Sequence, residues 1–119
     1  MQIIPYILII LSGILNAMHD ALYHEKILDF SDYWNPHKSW TRKYKNRDKK
    51  QGEAFIGSTT VFVMFTDGIH LIKFFMYSFL IIGCSGLNFI QSFFGIGVFL
   101  VSFQLVYWLI EKLDNLLKP

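Results

Sequence analysis

Three long apolar runs, separated by one hydrophilic stretch and one short turn, leave this chain few architectures. Ile3–Tyr23, the run that ends at Ile82 and Phe89–Ile110 each approach the length that crosses a bilayer as a helix, roughly 20 residues. In hydrocarbon every backbone polar group must be satisfied internally, so such runs become helices. Composition agrees. Hydrophobic residues make up 53% of the 119 residues and charged residues only 17%, against about a quarter charged in an ordinary soluble domain. Most of the charges fall between Glu25 and Glu53. The chain reads as one all-α integral membrane domain with three transmembrane helices.

The first helix is expected at about residues 3–23. It has no basic leader region, and Leu15-Asn16-Ala17 makes a poor cleavage site, so it reads as a retained membrane helix rather than a signal. The third, at about 89–110, carries no charge until Glu111-Lys112 ends it. Between Ile82 and Phe89 the sequence GCSGLN predicts a tight turn, which makes the second and third helices antiparallel neighbours. The second helix is expected at about 61–82, with Gly57-Ser58-Thr59 as its start.

The loop 25–57 holds most of the Lys and Arg. Positive charge flanking a span predicts a cytoplasmic side, which puts the N-terminus outside and the C-terminal tail inside a cell's inner (plasma) membrane. Its run Lys38, Arg42, Lys43, Lys45, Arg47, Lys49 and Lys50 lies beside the membrane. With a net charge of only +2, it predicts anionic lipid headgroups as partners and no nucleic acid. Phe30, Tyr33, Trp34, Trp40 and Tyr44 alternate with polar residues here, and Asn35-Pro36 forces a turn. Asp29–Lys45 is therefore expected along the membrane surface, as an anchor and as a lid that brings headgroups to a site below.

The function-bearing residues are ionisable groups within the apolar runs, a costly placement that points to a functional site. Asp67 and His70 lie in one run; His19, Asp20 and His24 close another. At 100° per residue, Ser12, Asn16, His19, Asp20, Tyr23 and His24 share an arc of roughly 140°. Thr60, Asp67, His70, Lys73 and Tyr77 do the same on the second helix. Asp20 and His24 are spaced i,i+4 and Asp67 and His70 i,i+3, so each pair projects from one side. Two carboxylates and two imidazoles form a ligand set for a divalent transition metal such as Zn, Mn or Fe. His19 would assist as a general acid or base. A metal-bound water would then attack an ester, amide or phosphoester of a lipid or another membrane-embedded substrate.

No HExxH or CxxC signature supports the metal, and no Ser-His-Asp arrangement with usable spacing is visible. Two rival readings use the same residues. In one, Asp67, His70 and Lys73 relay protons or cations through an oligomer. In the other the polar groups hold helices together in a structural or assembly subunit: Asp67 pairs with Lys73 or Lys26, and His70 bonds Asn16 or a carbonyl. Ser12, Asn16 and Thr60 would bond between helices, and Asn88, Gln91, Ser92, Gly95 and Ser102 would form a packing stripe, including one toward a second subunit. His37 reads as a solvated loop histidine. The single Cys84 excludes an internal disulfide. The expectation is a small polytopic membrane hydrolase in a homo-oligomer or membrane complex. NAMHDALYH, YWNPHKSWTRKYKN and GSTTVFVMFTDGIH are its motif-like pieces.

Overall fold

A computed structural model describes residues 3–24, 26 and 31–118, and its regular elements there are all helical. They are α1 (Ile3–Tyr23), the one-turn α2 (Pro36–Ser39), α3 (Gly68–Ser85) and α4 (Phe89–Leu117). Short 3-10 turns occupy the loop, and Val63–Phe65 forms another just before α3. Three helices, α1, α3 and α4, are long and apolar enough to cross a membrane. Glu25, Asp29 and Phe30 of the expected surface loop lie outside the described residues.

α1 is the central element. It packs on both α3 and α4, which hardly touch one another, so the tight turn joins two helices that are not packed neighbours. The result is a flat layer of 51 × 42 × 16 Å. Small residues set the close approaches between the helices. A Cβ added at Gly13 would lie 2.8 Å from the Phe99 carbonyl oxygen and from Ser102 Cβ of α4. The fully buried Ile9 wedges between Gly83 of α3 and Gly95 of α4. Ser12 ties α1 to α3 by donating its hydroxyl to the Met76 carbonyl at 2.8 Å.

The packing stripe divides. Gly95 and Ser102 face α1 within the same chain. Asn88 and Gln91 instead cap their own helix reciprocally. Thr60 is exposed, with its hydroxyl 3.5 Å from the Gly57 carbonyl in the loop.

Three boundaries differ from expectation, the smallest being the end of α3, which runs on through Gly83-Cys84-Ser85 of the expected turn. α3 begins at Gly68, not Val61, because the Gly57-Ser58-Thr59 cluster closes a loop. Gly57 has φ +80, and the buried Ser58 hydroxyl donates to the Lys43 carbonyl at 2.7 Å while accepting the Ala54 N–H at 3.1 Å. The true start is Asp67, whose extended backbone and side chain cap the helix by accepting the His70 N–H at 2.8 Å. α4 continues past Glu111-Lys112 to Leu117. There the Asp114 carboxylate meets Lys118 at 3.0 Å and Lys26 at 3.8 Å, so paired charges extend the helix. At 1.5 Å per residue its length is about 43 Å, longer than a hydrocarbon core of roughly 30 Å.

The loop docks onto the start of α3. Tyr33 accepts the Gly68 N–H at 2.9 Å through its carbonyl, and Arg42 Nε donates to the Thr66 carbonyl at 3.2 Å. Trp34 covers Gly68 so closely that any Cβ there would enter its ring. The same indole packs on Leu22, Ile69 and Ile72, the buried cluster joining α1 to α3. YWNPHKSW and TDGIH, far apart in sequence, thereby form one unit.

Candidate functional site

Asp67 is 1% exposed. Its carboxylate caps α3 and also receives the imidazole of His70, one turn on, with Nδ1 2.9 Å from Oδ1 and 2.8 Å from Oδ2. The Thr66 hydroxyl stands 3.4 Å from Oδ2. When Asp67 accepts Nδ1–H, the neutral ring keeps its lone pair on Nε2 and is ready to take a proton there.

The pair borders a cavity of about 50 Å³, whose other walls include Tyr23, Ser39, Trp40 and Ile69. That volume holds one water, whose share of liquid is about 30 Å³. α2 brings Ser39 to the wall. Asn35 caps that turn by accepting the His37 N–H at 2.9 Å, and Pro36 occupies the first helical position with its φ already suitable. Ser39 faces inward and is 1% exposed, while Trp40 beside it is half exposed.

The other expected residues fall elsewhere. His19 and Asp20 pair with each other on α1, Nδ1 to Oδ1 at 3.2 Å, and the His19 ring lies 4.9 Å from that of Tyr23. His19 Nε2 is buried without a hydrogen-bond partner, and the ring lies within electrostatic range of Lys73 and His70. His24 turns toward α4, its ring 6.5 Å from that of Tyr107. Among the described residues no three His, Cys, Asp or Glu side chains are gathered to hold a metal ion. Thus Asp67 meets His70 and His19 meets Asp20, while the expected set of Asp20, His24, Asp67 and His70 is not collected in one place.

The anticipated structural pairings also change. Lys26 reaches Glu111 at 4.0 Å and Asp114 at 3.8 Å. Asp67 takes His70 and Thr66 instead of a lysine. His37 is exposed, and Cys84 is a free, half-buried thiol.

Sequence reasoning missed Ser39. The signal was local: an Asn-Pro pair that caps and starts a helix implies a turn with a buried face. Its meeting with Asp67 and His70 depends on the docked loop.

No protein-family model, curated protein or solved structure matches the chain. Fold and site together define a class: a helical protein with three membrane-length helices and, beneath its loop, a buried Asp67 carboxylate paired with a partly exposed His70.

Proposed function

We propose that this chain is a multipass inner-membrane protein that hydrolyses a lipid or another membrane-embedded substrate, with Asp67 and His70 as its acid–base dyad. The observation that carries this reading is the 2.8 Å contact between His70 Nδ1 and a nearly inaccessible carboxylate, on a ring that also borders a cavity. Asp67 would hold the imidazole in one tautomer and stabilise it once protonated; Nε2 would take a proton from the attacking group and return it to the leaving group. In this reading the dyad activates the nucleophile without requiring Zn, Mn or Fe.

Depth favours a lipid. The dyad sits at the end of the apolar α3 span; with that span across a bilayer it would lie near the level at which a glycerolipid carries its ester bonds. Tyr23 and Trp40, both substantially exposed beside the cavity, suit that amphipathic layer. Arg42, Lys45, Lys49 and Lys50 are exposed on the neighbouring loop, where they would meet anionic headgroups. The same positive charge favours a cytoplasmic loop, with the N-terminus outside and the C-terminus inside. The exposed apolar surface of α4 suits lipid or a second copy of the chain.

Purified protein in detergent, offered a panel of glycerophospholipids and neutral glycerides, should release fatty acid detectable by mass spectrometry. His70→Gln should lower that rate about 10²- to 10⁴-fold. No release from any member of the panel overturns the proposal.

One observation favours a second reading. His19 has a buried Nε2 without a hydrogen-bond partner, and its ring lies within electrostatic range of Lys73 and His70, which suits proton or cation movement through an oligomer. It requires Asp67→Asn and His70→Ala to abolish flux in liposomes; unchanged flux removes it.

A further inference from the structure

We infer that Ser39 is the nucleophile of this site and that hydrolysis passes through an acyl-enzyme on its Oγ. The inference rests on the hydrolase reading above and adds a residue and an intermediate to it. Its basis is a contrast among helical serines. A serine within a helix ordinarily returns its hydroxyl to a preceding carbonyl, as Ser92 does with Asn88 at 2.9 Å and Ser102 with Val98 at 2.7 Å. Ser39 lies at the end of α2 and is 1% exposed, yet its hydroxyl is buried with no hydrogen-bond partner. It lines the same small cavity as Asp67 and His70.

Hydroxyl, imidazole and carboxylate, with the carboxylate already on Nδ1, are the parts of a serine hydrolase and are recognised by role rather than by order in the chain. Ser39 Oγ attacks the ester carbonyl carbon as its proton passes to His70 Nε2. The carbonyl π bond opens to an oxyanion. Ile69, in the first turn of α3, also borders the cavity, so that negative charge would develop near the positive end of a helix dipole. The carbonyl re-forms, the carbon–alkoxide bond breaks, and the alcohol leaves with the proton from His70. Water then attacks the acyl carbon, gives its proton to His70, and the carbon–Oγ bond breaks as the proton returns to Ser39. The products are a fatty acid and an alcohol. Water is the only co-substrate, and no oxidant is needed.

The cavity, about 50 Å³, is far too small for a whole lipid. The substrate's chains would therefore stay in the bilayer, with access past the exposed edges of Tyr23 and Trp40.

The test is labelling of the full-length protein in detergent with an alkyl fluorophosphonate, followed by peptide mass spectrometry and by turnover of the glycerolipid panel. An active serine forms an Oγ–phosphorus bond as fluoride departs. The expected result is an adduct on the peptide containing Ser39, lost in Ser39→Ala and slowed at least about 100-fold in His70→Gln, with turnover falling in parallel. Intrinsic tryptophan fluorescence of Trp34 and Trp40 reports whether each variant folds. Should Ser39→Ala fail that check, Ser39→Cys replaces it, and its alkylation by iodoacetamide should depend on His70. Turnover in wild-type protein without an adduct, an adduct confined to another residue, or folded Ser39→Ala that turns over normally each overturns the role of Ser39 while leaving the hydrolase reading in place. Neither adduct nor turnover in wild-type protein removes both.

Discussion

Asp67 binds His70 twice, accepting its backbone N–H at 2.8 Å and holding its ring Nδ1 at 2.8 Å. One carboxylate thus starts the helix and orients the base that the helix carries. The two roles share one carboxylate but differ in chemistry, since a cap needs only an acceptor and the dyad needs an anion. They can therefore be separated by substitution.

Asp67→Asn should keep the cap and lose the chemistry, because asparagine caps as well as aspartate. Asp67→Ala should lose both, at a stability cost of about 1 kcal/mol for the cap. Denaturant titration by circular dichroism alongside lipid turnover checks this. Full turnover in Asp67→Asn would show that the carboxylate is only a cap.

Gly68→Ala should undock the loop. The new Cβ would enter the Trp34 ring, and overpacking of a tight contact typically costs about 1–3 kcal/mol. Because Trp34 also packs on Leu22, Ile69 and Ile72, its emission should shift to the red as it leaves that cluster. Unchanged emission and unchanged melting together would contradict this packing.

Two glycines of the helix layer should respond oppositely to one methyl group. Gly13→Ala brings a Cβ within 2.8 Å of Phe99 O and Ser102 Cβ, so α1 and α4 must move apart. Gly97 has nothing within 4 Å of the same position, and Gly97→Ala should be neutral or stabilise by up to about 1 kcal/mol through helix propensity. Thermal unfolding of both variants in the same detergent reads the difference; equal melting shifts would place the α1–α4 contact elsewhere.

The loop should carry a pH signature at Glu53. Its carboxylate accepts first from the Thr59 hydroxyl and then from the backbone N–H groups of Gly57 and Thr59, which holds its pKa below the ordinary carboxylate value. A depressed folded pKa means that the turn is supported above the ordinary value, near 4.3 for Glu, and loses that support as pH falls through the lower one. The Gly57 and Thr59 amide resonances should therefore titrate with a midpoint below 4.3. A midpoint at or above it would mean that Glu53 does not hold this turn.

Hydropathy was reliable where membrane-length apolar sequence coincided with a helix. Among the described residues α1 covers Ile3–Tyr23, in line with an expected span of about 3–23, and α4 begins at Phe89. It misled at Val61–Phe65, an apolar stretch that continues the pattern but folds as turns and a 3-10 segment, with Val61 and Phe65 largely exposed. The better signal was chemical: Asp67, with the N–H of His70 three residues on, is a cap, and a cap marks a helix start rather than an interior. Moving that start to Gly68 carries the Asp–His pair from inside the span to its end. At the other terminus, Glu111 and Lys112 suggested an end that Asp114 overrides by drawing in Lys26 and Lys118.

Local sequence alone determined the helical class, two of the three apolar spans and the i,i+3 pairing of Asp67 with His70. Those properties depend on composition, period and spacing within a few turns of one segment. Tertiary structure decided that α1 lies between α3 and α4, that His24 lies against Tyr107 of α4, and that Ser39 shares a cavity with Asp67. Each of these depends on how Trp34 seats on Gly68 and how Ile9 fits between Gly83 and Gly95. Such contacts join residues far apart along the chain, and no hydrophobic period records which distant partner a side chain will meet.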